Sequence, residues 1–465
     1  MQNSGLNSNY KYDVLIVGAG IAGSAMAANL AKLGKKIAVV ERDLRERDVI
    51  IGELLQPGGV IKLQEMGFTK FIDNIDAQPV YGYDIIYEEN NYVISYPNKT
   101  GEPCGYGFRN GAFLQNMRRH ILADENITVL EGSVTELLEK DNALIGARYV
   151  DKSSKEEKDL FADLTVITDG PLSSLREMLS TPEKKLNGYF MGLLLKNCEM
   201  PYSNHGHLIM GDHPPMVIYP VTSNEWRILI DFKGERPPRP GKEFKQYLKD
   251  TFENALPVSA RKAFAEAVDE GKIKTFPNHR LPAKPILKQG GVILGDALNM
   301  RHPLTGGGMT AALNDVLLLC DNLKQVPDFN NKRKLGKAVE KFYATRHLGT
   351  QTTNILADGL YGVVYNPDLR KAFFEYISRG DKYAAETCSI LAGLNKDKRL
   401  LLNHFIGMAR YGTQMRIANS EATTEKVTQS FTMVKDAVGI ITPLLLTEKP
   451  DTGNKLMLEA LNRIV

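Results

Sequence analysis

The sequence holds a single tryptophan, Trp226, and four cysteines, Cys104, Cys198, Cys320 and Cys388, spread too widely for any CxxC pair. That spacing excludes a zinc-ribbon type of metal site and points to thiols kept reduced. The eight histidines include no HExxH, and His205 and His207, two apart, read as surface or turn residues. Nowhere do eighteen apolar residues run together, which excludes a simple bilayer-spanning helix. The net charge is only +3, with lysine and arginine scattered, so there is no electrostatic footprint for nucleic acid. The stretch from Met1 to Lys11 is polar and reads as neither signal peptide nor anchor.

What is present suits a folded chain with more than one core: 465 residues, 43% hydrophobic and 24% charged. Tyr12 to Val17 is an apolar run of strand length, and glycines follow it at once. A helical stretch from Ile21 to Leu33 ends at Gly34, and Ile37 to Val40 reads as the next strand, which completes a βαβ unit. Alternation near 80–100 predicts a strand pair, Asn110 to Ala123 a helix, and Thr128 to Val150 two strands, with a charged hairpin tip from Lys152 to Lys158. Leu164–Ile167 and Gly291–Leu294 read as buried strands. Residues 185–285 are strand-rich, Met309 to Leu323 is a helix, and everything after about 332 has helical spacing. The expected class is α/β: a discontinuous Rossmann-type domain (11–76, 105–180, 286–330), a β-sheet substrate domain (77–104, 181–285) and a helical C-terminal region (331–465).

The first chemical motif is Gly18-Ala19-Gly20-Ile21-Ala22-Gly23. Gly18 permits the tight turn after the strand, Gly20 lets the backbone approach a pyrophosphate, and Gly23 lets the helix pack close on the sheet. Glu41 ends the second strand, where a carboxylate can take ribose hydroxyls. A lone GxGxxG is weak, but here it follows a strand and opens a helix. Asp169-Gly170, with Ser173 and Arg176 behind it, and Gly295-Asp296 each follow a buried strand. Their carboxylates suit a second set of sugar hydroxyls. Pro303-Leu304-Thr305-Gly306-Gly307-Gly308-Met309 then opens a helix. Its glycines allow backbone amides near a flat ring, and the helix N-terminus favours negative charge there.

In this order the motifs resemble the flavoprotein monooxygenases of the para-hydroxybenzoate hydroxylase type. Gly295 to Thr310 (GDALNMRHPLTGGGMT) is similar, almost letter for letter, to squalene epoxidase, and Gly52 to Gly59 (GELLQPGG) to that family's early signature. The resemblance covers about residues 11–448. It implies FAD, held by Glu41 and Arg42 on the adenosine side, by Glu53 and Arg118, and by Asp296 and Met309 toward the ribityl and flavin end. It also implies that Tyr83 sets geometry near the flavin and that Leu55, Gln56 and Pro303 stand by its reactive edge. Without the family, Tyr83 would read as a strand tyrosine with a surface hydroxyl and Arg118 as an exposed helix charge. Val49 departs from a usual arginine, with Arg47 able to compensate, and Asn110-Gly111-Ala112 replaces a more usual His-Gly-Arg.

The implied activity is epoxidation of squalene to 2,3-oxidosqualene, in sterol or triterpenoid biosynthesis, with O2 activated as a flavin C4a-hydroperoxide. The implied electron donor is NADPH–cytochrome P450 reductase. The alternatives are another flavin enzyme of this fold, such as an aromatic hydroxylase or geranylgeranyl reductase, and a non-catalytic FAD- or lipid-binding protein. Absence of WxWxIP argues against a flavin halogenase. In the C-terminal part, Phe431, Val434, Val438, Ile441 and Leu445 share one helical face, and Leu400, Leu401, Phe405, Ile406 and Met408 form another, with Pro443 ending or kinking the later helix. Periodicity alone favours faces that cover the protein's own core. The resemblance implies instead a peripheral, monotopic contact with a membrane surface, the endoplasmic reticulum facing the cytosol in a eukaryote. No histidine or cysteine stands in an attachment motif, so denaturation will release free FAD into the supernatant; a flavin that stays with the precipitated chain would contradict this.

Overall fold

The computed structural model describes residues 11–97, 104–181, 183–239, 241–418 and 424–447; the first ten residues, Pro240 and the side chain of Phe431 lie outside them. Among the described residues the chain runs β1 (Lys11–Val17), α1 (Ile21–Ala31), β2 (Ile37–Glu41), β3 (Leu54–Leu55), α2 (Pro57–Met66), β4 (Gln78–Val80), β5 (Gly82–Tyr87), β6 (Asn90–Ser95), β7 (Gly105–Gly107), α3 (Asn110–Leu122), β8 (Ile127–Lys140), β9 (Ala143–Asp151) and β10 (Glu157–Ile167). It continues through β11 (Lys185–Lys196), β12 (Gly206–Met210), β13 (Met216–Thr222), β14 (Glu225–Phe232), α4 (Lys242–Phe252), α5 (Val258–Glu270), β15 (Lys274–Arg280) and β16 (Gly291–Ile293). The rest is helical: α6 (Gly308–Leu323), α7 (Lys332–Thr345), α8 (His347–Tyr365), α9 (Pro367–Ile377), α10 (Asp381–Leu391), α11 (Lys398–Ala418) and α12 (Thr424–Thr447). This is the α/β architecture expected.

Strands β8, β2, β1, β10 and β16 lie side by side in parallel, and β9 runs antiparallel between the long extensions of β8 and β10. Val14 to Val17 are buried on both faces, which is why β1 reads as a continuous apolar run rather than an alternating one. Helix α1 packs against this sheet and α6. Gly23 is the contact point: a Cβ there would stand 1.9 Å from the Gly18 carbonyl oxygen. Gly18 itself has φ +96°, a conformation that favours glycine.

The second sheet has the order β15-β11-β14-β13-β12-β5-β6. Its parallel β12–β5 pairing sets Gly206 beside Tyr83 and His207 beside Asp84. Alternation splits its side chains between two cores. Ile209, Ile228 and Ile230 pack with Phe252 and Phe264 of α4 and α5. Tyr83, Phe190 and Tyr219 join Ile355, Val363, Leu401, Phe405, Ile441 and Leu445 of the C-terminal helices. A small sheet, β3-β7-β4, bridges the layers.

Three expectations change. His207 is no surface residue: it is fully buried, 3.9 Å from Asp84 Oδ2, and burial pulls its pKa down to about 3. Alternation in β12 puts it on the inward side beside Trp226. Pro443 does not end its helix, which continues to Thr447. On α12, Ile441 and Leu445 are buried and Val434 and Val438 half-buried against the protein's own core, as periodicity alone suggested. Among the described residues no helix is long and apolar enough to cross a membrane.

The Gly23 contact gives a stability prediction. Gly23→Ala forces α1 off the β1 turn, so it should cost on the order of 3 kcal/mol in denaturant unfolding and release bound cofactor. Unchanged stability and occupancy would show that the contact relaxes freely.

Candidate active site

A continuous cavity of about 710 Å³ opens where these layers meet. One end is polar and glycine-rich, lined by Gly18, Gly20, Glu41, Arg42, Arg47 and Arg118. The other is apolar, lined by Leu54, Val217, Tyr219, Leu229, Phe276 and Leu304. Asp169, Asp296, Gly308 and Met309 lie along it too. The N-termini of α1 and α6 both meet the cavity, and neither has a side-chain cap, so their first amides are free for an anion.

At the polar end Glu41 Oε2 accepts from the Ala19 amide at 2.8 Å, while its Oε1 accepts from the Asp43 amide and from Arg47. Arg118 is not the exposed charge that α3 alone would suggest. It is buried, donates to the carbonyls of Ala19 and Asp43 at 3.0 and 3.1 Å, and stands 3.5 Å from Glu41. Arg47 and Val49 both line the cavity, so the arginine missing at 49 has a neighbour at hand. Gly20 faces open space: a Cβ there would meet nothing within 4 Å.

Arg176 straps the two acidic turns together. It donates to Ala297 O at 2.5 Å, to Pro171 O at 3.1 Å and to Gly170 O at 3.3 Å. Burial raises the pKa of both Asp169 and Asp296, with Arg176 opposing in each case. Asp169 Oδ1 is buried without a partner. Asp296, enclosed by protein, keeps its exposed carboxylate toward the cavity.

At the apolar end, the buried Gln56 amide is held on three sides. Its Nε2 donates to Thr305 O at 2.8 Å and to the Tyr83 hydroxyl at 2.5 Å, and its Oε1 accepts from the Tyr96 hydroxyl at 2.7 Å. Thr305 O can only accept, so this contact fixes which way the amide faces. Tyr83 is buried, not a surface strand tyrosine, and burial pushes its hydroxyl up to about 12. Pro303 lines the cavity. Leu55 instead points into the core beneath α2, and its neighbour Leu54 takes the cavity wall. Gly307 makes room for Thr353, where a Cβ would stand 2.4 Å from Cγ2.

Glu53 lines the cavity but is already engaged: Arg227 of β14 grips it with two contacts, 2.7 and 3.1 Å. Burial pushes the Glu53 carboxyl up and the guanidinium opposes it. Sequence reasoning missed Arg227, Tyr96, Tyr219 and Leu54. Only strand alternation could have flagged the last two, and nothing local marks Arg227 as a partner for a residue 174 positions away. Among the described residues no cluster could hold a metal ion.

Two uncapped helix ends, two acidic turns and an apolar chamber along one cavity fit an FAD-dependent monooxygenase. The same architecture is found in p-nitrophenol 4-monooxygenase from Pseudomonas putida, with TM-score 0.68 at 17% identity over 83% of this chain and 99% of that one, a likeness of fold alone. A family model for squalene epoxidase matches residues 161–428, and one for NAD(P)-binding Rossmann-like domains matches 16–45. The chain is 40% identical to squalene epoxidase 3 of Arabidopsis thaliana over 95% of this chain and 86% of that protein. It is 36% identical to squalene monooxygenase of Mus musculus over 94% and 78%. The chain belongs to the squalene epoxidase family.

FAD fits the residues present. The uncapped helix ends suit its phosphates, the unpartnered Asp169 oxygen suits a hydroxyl donor, and the cavity volume is within the range of cofactor sites, about 300–1,000 Å³. Arg227→Gln should destabilise the chain by about 3–5 kcal/mol, because it strands a buried carboxylate. The double variant with Glu53→Gln should recover part of that loss in the same unfolding titration; no recovery would mean that Arg227 acts by packing alone.

Proposed function

We infer that the chain is an FAD-dependent monooxygenase that epoxidises squalene to 2,3-oxidosqualene. The observation that carries this reading is one continuous cavity in which an apolar chamber continues a polar, glycine-lined trough. The chemistry that side chains lack, activation of O2 for transfer to an alkene, is what bound FAD supplies.

The chain's residues do the rest. Gly18, Gly20, Glu41, Arg42 and Arg118 hold the adenosine and phosphate end. Supporting this are their common position on the cavity wall and the network joining Glu41 to Arg118. Asp169, Asp296, Gly308 and Met309 hold the sugar-alcohol and ring end, with Glu53 fixed by Arg227 behind them. Leu54, Val217, Tyr219, Leu229 and Phe276 line a dry chamber that excludes water and orients a flexible polyene. Tyr83, protonated throughout the working pH range, keeps its own hydrogen to donate while its oxygen accepts from Gln56. We place it, with Pro303, beside the reacting alkene, and Gln56 behind them, holding the Tyr83 hydroxyl from outside the cavity wall.

The chain carries one glycine fingerprint, so electrons are proposed to come from a separate protein, NADPH–cytochrome P450 reductase. A membrane surface, that of the endoplasmic reticulum in a eukaryote, is the proposed source of substrate, since squalene resides in bilayers. The inward faces of α11 and α12 are occupied, so the proposed contact uses outward residues such as Arg410 and Ile417, the latter 48% exposed.

The test is incubation of the FAD-loaded protein with squalene, NADPH and the reductase, in detergent and in liposomes, with the product identified by mass spectrometry. Oxidosqualene is expected in both, faster from liposomes. Asp296→Ala should weaken FAD binding by about 1–3 kcal/mol, while Tyr83→Phe should retain FAD and lose turnover. No oxidosqualene from FAD-loaded wild type would overturn the reading.

A further inference from the structure

The turn Pro303–Thr305 forms the cavity wall just before the Gly306–Gly308 loop. Its far end is held by Gln56, through Thr305 O. Its near end is held by His302, a fully buried residue with no part in the chemistry described so far. His302 Nδ1 accepts from the Leu304 amide at 3.3 Å. A backbone N–H only donates, so Nδ1 is bare and the ring hydrogen is on Nε2. Nε2 stands 3.6 Å from Asp231 Oδ1, too far for a hydrogen bond. Asp231 is itself fully buried at the end of β14, and its two oxygens accept from Asn278 Nδ2 at 2.7 Å and the Tyr365 hydroxyl at 2.8 Å. The imidazole is stacked on Tyr361 of α8, centroids 4.1 Å apart, with the edge of Phe190 at 5.5 Å. The His302 backbone amide donates to Asp358 of the same helix. The ring is therefore packed between β11 of the second sheet and α8.

We propose that His302 is a positioning residue for epoxidation: it caps the Leu304 amide and so fixes Pro303 and Leu304 against the cofactor and the alkene, with Tyr361 and Phe190 holding its ring. The inference rests on the epoxidase reading. Three side chains of different provenance, His302, Phe190 and Tyr361, converge on a single short 3-10 turn, too brief to be held by its own hydrogen bonds alone. Removing the cap leaves the Leu304 amide buried without an acceptor, and the turn must shift to find one.

Asparagine and glutamine separate capping from packing. An asparagine carbonyl oxygen can accept the amide two residues on, closing the same turn, whereas glutamine is one bond too long to do so. His302→Gln should lower kcat on the order of 10- to 100-fold, as expected for a misplaced wall. KM for squalene should stay within about twofold, because a displaced wall costs transition-state geometry more than ground-state binding. His302→Asn should restore kcat to within a few-fold of wild type. The visible circular dichroism of bound FAD should change in His302→Gln and return in His302→Asn. If both variants turn over like wild type, or if His302→Asn is as slow and as spectrally altered as His302→Gln, the proposal is overturned. Should wild type itself give no oxidosqualene, the epoxidase reading fails, while the dichroism of the two variants still decides whether His302 holds the cofactor-side turn.

Discussion

One side-chain amide joins the two halves of this molecule. Gln56 starts α2, a helix of the nucleotide-binding layer, yet its amide bonds a tyrosine from each of two neighbouring strands in the second sheet and a carbonyl from the loop before α6. All of these groups are buried, so none can exchange its partner for water without a large cost. The relative placement of the two sheets, and hence the shape of the cavity between them, depends on this junction. Arg227 and Glu53 repeat the device a short way off with a charge pair, again with one partner from each layer.

The polar end of the cavity was legible in the sequence because glycines shape it. Gly18 takes a positive φ, a Cβ at Gly23 would collide with the Gly18 carbonyl, and Gly20 borders open space, and such backbone needs leave a local signature. The two acidic turns were legible for a related reason: each ends a short apolar strand. The apolar end was less so. Whether Leu54 or Leu55 faces the cavity is decided by a two-residue strand whose pairing with Tyr106 and Gly107 cannot be read locally. Tyr219 and Leu229 become wall residues only through the register of β13 with β14.

His207 shows the opposite failure. The strand from His207 to Met210 is legible in the strand-rich stretch, but the histidine in it reads from composition as a surface or turn residue, and the strand's interior setting overrides that. The C-terminal helices show a third kind. Their periodicity correctly announced an apolar face, and periodicity says nothing about what that face meets. Ile441 and Leu445 lie in the protein's own core, on a helix packed against α11 and α8.

Strand β12 pairs in parallel with β5 across more than a hundred residues of intervening chain. Between those two strands in sequence lie three of the six strands of the first sheet, while that sheet's last strand, β16, follows after the second sheet is finished. The chain is braided: the strands of the two sheets interleave in sequence, and no single cut separates one sheet from the other. Such long-range pairing makes loop closure the slow step of assembly. During synthesis the β1–β10 region must wait, with its β16 edge open, until about residue 293 has emerged. For that interval the end of β10, Thr165–Ile167, lacks its partner and leaves a short unpaired edge, the kind of edge that invites pairing with other chains.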